Sequence, residues 1–359
     1  MTLGTRARQV WSIAALQLRR VFFSRRSAWV YLLALFPSLA FVAHGLEVTM
    51  TRDRWAEQTT PPGLIEAIRE GDSDEEVLRR AGEPINDNSF QQRRRRDSDE
   101  EPPVRRSMMY FDGSRRWNLT FVNGELRSKG SRLLIDFNED RQIFAGVFQY
   151  FYLRLAIFFG CLGIFMNLFR GEMLDKTLHF WFLVPARREV LLAGKYLAGL
   201  IAAVVIFSAG AAVCFLVMLW PQEPAELASF WPQPGLSHLF WYAAAAALAC
   251  IGYGSVFLAA GLLLRNPIVP AVVILLWEGV NGILPGFLQK ISVLHYAQAL
   301  SPVPAPTDPG APLVIQLLMS PAEPPSAIGA VLGLLALTVV VLWAASFAVR
   351  RLEIDYGTD

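Results

Sequence analysis

Between two long apolar runs the chain carries Glu172, Asp175, Lys176, Thr177, Phe180, Trp181, Pro185, Arg187, Arg188 and Lys195. The charges can fix the orientation of a partner and the aromatic rings can fill its clefts, so this spacing suits protein docking rather than bond-making. A short amphipathic helix from Glu172 to Leu183 is predicted, with charges near its start, aromatics towards its end and Pro185 as its stop. Motifs for bond-making chemistry are missing. There is no Gly-x-Ser-x-Gly, no zinc-binding helix motif, and His44, His179, His238 and His295 have no ligand spacing. A phosphate-cradling G-x-x-x-x-G-K-[ST] loop is also missing, because Gly194-Lys195 is followed by Tyr196. We therefore expect no metal site and no nucleotide cofactor bound by this chain.

The elements that must position this loop follow from composition. Of 359 residues, 53% are hydrophobic and 18% charged, against roughly a quarter charged in soluble domains. A bilayer core about 30 Å thick needs about 20 apolar residues in a helix. Spans are predicted at Ala28 to Leu46, Ile143 to Phe169, Leu191 to Leu219, His238 to Leu264, Ile268 to Phe287 and Ile328 to Val349. The fifth is bracketed by Pro270 and Pro285 and contains Glu278. Lys and Arg crowd the N-terminus, the 170–190 loop and the C-terminus, while the short loops on the other side carry almost none. The positive-inside rule then puts both termini and the loop in the cytosol. The first apolar run spans a bilayer and lacks a small-residue cleavage site, so it reads as a retained helix and not a signal peptide. Cys161, Cys214 and Cys250 fall inside spans and read as buried small hydrophobes.

The fold class expected is an all-α polytopic membrane protein: six transmembrane helices, an N-terminal interfacial helix over 1–27, and a small α+β extracytoplasmic domain over 47–142. Helices 2–6 occupy 143–349 with an external segment at 288–327, and 350–359 form a cytosolic tail. In the N-terminal helix Val10, Trp11, Ala14, Leu18, Val21 and Phe22 read as a lipid-facing stripe, with arginines near anionic headgroups. In the external domain, short helices are predicted at Gly63 to Glu70 and Ser73 to Ala81, the second opened by a Ser73 and Glu76 capping box. Trp117, Leu119 and Phe121 alternate into Asn123-Gly124, and Leu133, Ile135 and Phe137 alternate again, which reads as a hairpin. The Arg93 to Arg96 run is followed at once by acids and prolines, so it reads as a solvated loop and not a nucleic-acid site. In the proline-rich connection before the last span, Leu313 to Met319 reads either as a re-entrant element or as an ordered loop.

The 172–195 stretch resembles the cytosolic signature of ABC type-2 permeases, the membrane subunits of many exporters. Glu172, Lys176-Thr177-Leu178, Pro185, Arg187-Arg188 and Gly194-Lys195 follow that pattern in order, with Lys176 where many members have glycine. The resemblance implies a permease subunit of an ATP-driven exporter in the bacterial cytoplasmic (inner) membrane. It also implies a cytosolic ABC ATPase that binds the ATP and Mg and docks on the loop, and a second permease subunit, identical or not. Arg154 and Glu278 fall near mid-bilayer, where an isolated charge costs at least about 2.5 kcal/mol. They are expected to pair or to face the transport path, with Gln149, Asn167 and Asn281 as further polar candidates. Aromatic residues Phe144, Phe148, Tyr150, Phe151 and Tyr152 suit either a lipidic substrate or an interfacial belt. A multi-spanning membrane enzyme and a receptor or anchor using the external domain remain alternatives.

Overall fold

The structure, a computed structural model, describes residues 3–24, 27–91, 103–174, 181, 186–264, 266, 268–281, 284–304 and 325–350. The chain divides into two compact units. One comprises Met1–Phe41, Asp140–Leu219 and Pro224–Asp359, and the other Val42–Glu139 with Trp220–Glu223.

In the larger unit, α1 (Leu3–Phe23) is followed by α2 (Ala28–Ala56), which continues past the predicted span end at Leu46 into the smaller unit. The second long helical stretch opens as α5 (Phe137–Gly146), widens into a π-helical segment (Val147–Ala156) and closes as α6 (Ile157–Leu174). Next come α7 (Arg188–Leu219), α8 (Pro224–Phe230) and α9 (Leu236–Leu263), the last two joined through a kink at Gln233. The last helix, here α13, is Ala327–Arg350. Among the described residues, five helices are long and apolar enough to cross a membrane. The predicted fifth span is not one of them.

Over the predicted fifth span the chain instead forms α10 (Ile268–Val280), 13 residues, about 20 Å long at 1.5 Å per residue and too short for a 30 Å core. Pro285 fixes an extended backbone, and two short helices follow, α11 (Gly286–Gln289) and α12 (Val293–Ala299). Leu313 to Met319 lies outside the described residues.

Helix α9 is the axis of the unit, packing against α6, α7, α12 and α13. The Pro224–Leu263 stretch has 72% of its apolar window buried, against 17% for Ala327–Arg350, so the last helix offers most of its surface to whatever surrounds the chain. Three of the five aromatic residues singled out in the second span fill the interior, while Tyr150 and Phe151 are half-buried. Phe144 and Phe148 each meet the Tyr242 ring at 4.8 Å, and the Tyr152 hydroxyl donates to the Phe207 carbonyl at 2.7 Å. Phe144, Phe148 and Tyr152 are thus core, neither a lipid-facing belt nor a substrate wall. All three cysteines are free and buried.

The smaller unit holds α3 (Pro62–Glu66), α4 (Asp74–Ala81) and a four-stranded antiparallel meander, β1 (Asn86–Gln91), β2 (Val104–Phe111), β3 (Arg115–Val122) and β4 (Glu125–Leu133). The β3–β4 hairpin turns at Asn123-Gly124, both at positive φ, as a tight two-residue turn requires. Ser73 caps α4 by accepting from the Glu76 amide, while the Glu76 carboxylate pairs with Arg80, leaving the predicted capping box half-formed. The Leu133, Ile135, Phe137 alternation is not a strand: β4 ends at Leu133 and Phe137 opens α5. Strands β1 and β2 were not expected, because β1 has almost no apolar alternation and follows β2 only through pairing.

Ile65, Val77, Met108, Leu119 and Phe121 form the core of this unit. The buried Tyr110 hydroxyl donates to the Gly82 carbonyl, and burial pushes its phenol up to about 12. At the β2–β3 turn Asp112 accepts from the Trp117 indole at 2.7 Å and from the Ser114 and Arg115 amides. Burial raises its carboxyl, but these donors together outweigh it and hold the group below the ordinary carboxylate range. A carboxyl lowered on folding stabilises above its ordinary pKa of about 4, and that contribution fades as pH falls through the lowered value. Hydrogen exchange of the full chain should show this at the turn. Asp112→Ala is expected to weaken amide protection from Tyr110 to Leu119 by about 1–3 kcal/mol. Wild-type protection there, corrected for intrinsic exchange, should decline on acidification below that range while the variant's stays flat.

Candidate functional site

The loop is rooted in a buried ion pair. Glu172 lies at the end of α6 and Lys195 in the second turn of α7, and their side chains are in direct contact. Lys195 is 0% exposed and Glu172 3%. Leu168 and Glu172 are four residues apart on one helix face, so the Lys195 ammonium reaches both the Leu168 carbonyl and the Glu172 carboxylate. It also lies over the Phe169 ring at 4.7 Å and the Trp181 ring at 5.3 Å. The other carboxylate oxygen accepts from the Gln17 amide at 2.7 Å and meets Arg20 at 3.6 Å. One carboxylate thus ties α1, α6 and α7 together.

Helix α1 is brought in by Val10, Ile13, Ala14 and Gln17, a helical stripe at i, i+3, i+4 and i+7. Ile13, Ala14 and Gln17 are buried, whereas Trp11, Leu16 and Phe23 are exposed. The stripe predicted to face lipid therefore lies in part against protein, and Gln17 is its polar tip. Close approach explains Gly194 too. A Cβ there would lie 2.7 Å from the Ile13 side chain and 3.1 Å from the Val10 carbonyl oxygen.

The other expected loop residues divide. Trp181 is half-buried, beside Lys195 and packed with the Ile13, Val190 and Leu191 cluster, so it faces its own chain. Arg188 donates to the Val349 and Arg350 carbonyls at 3.4 and 2.9 Å, holding the C-terminal end of α13, while Arg350 pairs with Glu189. Arg187 is exposed. Asp175, Lys176, Thr177, Phe180 and Pro185 lie outside the described residues.

The expected mid-span pair is not made. Glu278, 3% exposed, accepts from the Ser292 hydroxyl and from the Val293 amide at 3.0 Å, and so joins the end of α10 to the start of α12. No ion pair within 4 Å links it to Arg154 among the described residues. A carboxylate with donors of its own has less need of a cation. Gln149 donates to the Val303 carbonyl at 2.8 Å, which gives it a packing role. Asn167 bonds back to the Gly163 carbonyl. Among the described residues, Asn281 Oδ1, Arg154 Nε and Trp277 Nε1 are buried without a hydrogen-bond partner. Among the described residues no three His, Cys, Asp or Glu side chains converge as metal ligands.

Sequence reasoning missed Gln17, whose signal was its place in an otherwise apolar stripe; it had Gly194 as part of the signature, but its role as a close-approach point is visible only once α1 is seen to cross it. No family model matches the chain, and neither does any curated protein or solved structure.

Glycine substitution separates a crossing from a mere turn of helix. Gly194→Ala is expected to lower thermal stability by about 1–3 kcal/mol through overpacking. Gly279→Ala, with nothing within 4 Å of its Cβ, is expected to be neutral or to gain up to about 1 kcal/mol. Thermal unfolding of the full chain in detergent checks both.

Proposed function

We propose that the chain is the permease subunit of an ATP-driven exporter of the ABC type-2 kind, working as a homo- or heterodimer in the bacterial cytoplasmic membrane. In this reading both termini and the 172–195 loop are cytosolic and the Val42–Glu139 unit is outside. A sixth crossing is then made by Ile268–Val280 together with the short helices after it. A separate ABC ATPase binds ATP and Mg and docks on the loop.

The observation that carries the reading is the buried Glu172–Lys195 pair with Gln17 and Arg20. A soluble motor can move membrane helices only if the segment it pushes is rigidly rooted in them. Here both roots of the loop and the N-terminal helix share one carboxylate. Its members, Glu172 and Gly194-Lys195, also end the signature that the sequence resembles. Five long apolar helices support the membrane setting, and the lack of a nucleotide loop in the sequence supports an ATPase in trans.

Co-purification tests it. The tagged chain, extracted in mild detergent, is expected to recover an ATPase, and vesicles containing both should show transport that depends on ATP. Asp175→Arg and Arg187→Glu, neither a member of the buried pair, should cut recovery of the ATPase by about tenfold, which is about 1.4 kcal/mol, with unfolding temperature unchanged. An intact chain that recovers no ATPase, in vesicles indifferent to nucleotide, would overturn the proposal.

A further inference from the structure

Beside the buried pair lies a cavity of about 240 Å³, bounded by α1, the start of α2 and the end of α6. It has the volume of about eight liquid waters and is smaller than a drug-sized pocket. Arg20, Ser24, Ser27 and Asn167 make its polar wall, with Glu172 at its base, and Val30 and Ile164 its apolar one. An adjoining open groove shares Arg20 and Ser24 with it and adds Arg19, Leu16 and Phe23. Leu16 and Phe23 are among the most exposed large apolar side chains in the chain, at 68% and 84%.

Charge decides what fits. Lys195 neutralises Glu172 from the buried side, so Arg19 and Arg20 leave this region positive. A guanidinium can serve a carboxylate on one edge and a phosphate oxygen on another. The Ser24 and Ser27 hydroxyls bond each other and the Val21 carbonyl, and Asn167, which gives one N–H to Gly163, has a second that suits a phosphate oxygen. The cavity also reaches the first turn of α2 at Val30, the end of a helix that favours negative charge. Next to this polar pocket, an exposed surface of Leu16 and Phe23 suits a hydrocarbon chain and does nothing for a free ion.

We infer that the cavity is a site for one anionic phospholipid, its phosphate headgroup against Arg20 and Asn167 and an acyl chain along Leu16 and Phe23. Through Arg20 the lipid touches the carboxylate that roots the loop, so its binding biases how firmly α1 is held against α6 and α7. The inference depends on the membrane setting of the apolar helices and not on an ATPase partner.

Native mass spectrometry of the full chain, stripped of lipid in detergent, tests it with phosphatidylglycerol, phosphatidylcholine and glycerol phosphate as probes. One phosphatidylglycerol is expected to bind in preference to phosphatidylcholine and to raise the unfolding temperature. Arg20→Gln and Asn167→Phe, the second filling the space without touching a charge, should each weaken binding by about tenfold. Arg8→Gln, an exposed arginine on the same helix, should change it by less than about twofold. Only folded protein is counted, so loss of fold is not read as loss of lipid. Equal loss in Arg8→Gln would mean diffuse charge attraction and overturn the site. So would equal binding of phosphatidylcholine, or full binding by both cavity variants. Glycerol phosphate saturating as readily as the lipid would replace the lipid with a soluble phosphate and overturn the assignment.

Discussion

The Glu172–Lys195 ion pair is the constraint on which the rest of the loop end depends. Taking either charge out of water alone costs several kcal/mol, and attraction repays it only if the remaining lone pairs and protons find partners. Here they do. The ammonium has the Leu168 carbonyl and two aromatic faces, and the carboxylate has Gln17 and Arg20. Such a pair adds little net stability compared with apolar residues, but it tolerates no change of geometry. The ends of α6 and α7 are therefore set at a fixed separation with α1 laid across them, which is why Gly194 has no room for a side chain.

A second polar device works on different terms. Glu278 uses its carboxylate on a hydroxyl and an amide at the start of α12, so it holds α10 to α12 through neutral donors and without a cation. Nearby, Arg154, Trp277 and Asn281 each keep a buried polar atom without a hydrogen-bond partner, and Arg154 sits in a π-helical segment, a geometry frequent at functional sites. Among the described residues the buried pair at the loop end thus has each charge partnered, whereas these three atoms have no partner within the protein.

Much of this was legible in the sequence where a single element decides the outcome. Run length gave five of the helices, Asn123-Gly124 gave the hairpin, and Ser73 gave the cap of α4. What was not legible depended on neighbours. Over the fifth predicted span an apolar run does not reveal that the described helix stops at Val280, nor that Glu278 near its end serves a later helix. Arg188 looked like a docking charge, yet its partners, the last carbonyls of α13, lie at the far end of the chain. The aromatic residues of the second span carry the same composition whether they face lipid, substrate or one another, and only packing against Tyr242 and Phe207 separates those cases. In the loop itself, spacing marked Glu172 and Lys195 as significant, but burial made them partners of each other.

A double-mutant cycle on Glu172 and Lys195 tests the clamp most directly, through the unfolding free energy of the full chain. Glu172→Gln strands the buried Lys195 ammonium and is expected to lose about 3–5 kcal/mol, and Lys195→Met leaves Glu172 without its buried cation, held only from the α1 side by Gln17 and Arg20, and is expected to lose about 1–3 kcal/mol. The double variant removes both charges and should lose well under the sum, giving a coupling of at least about 2 kcal/mol. Additive losses, or single variants as stable as wild type, would mean that the two charges do not hold one another and that α1, α6 and α7 are joined by something else.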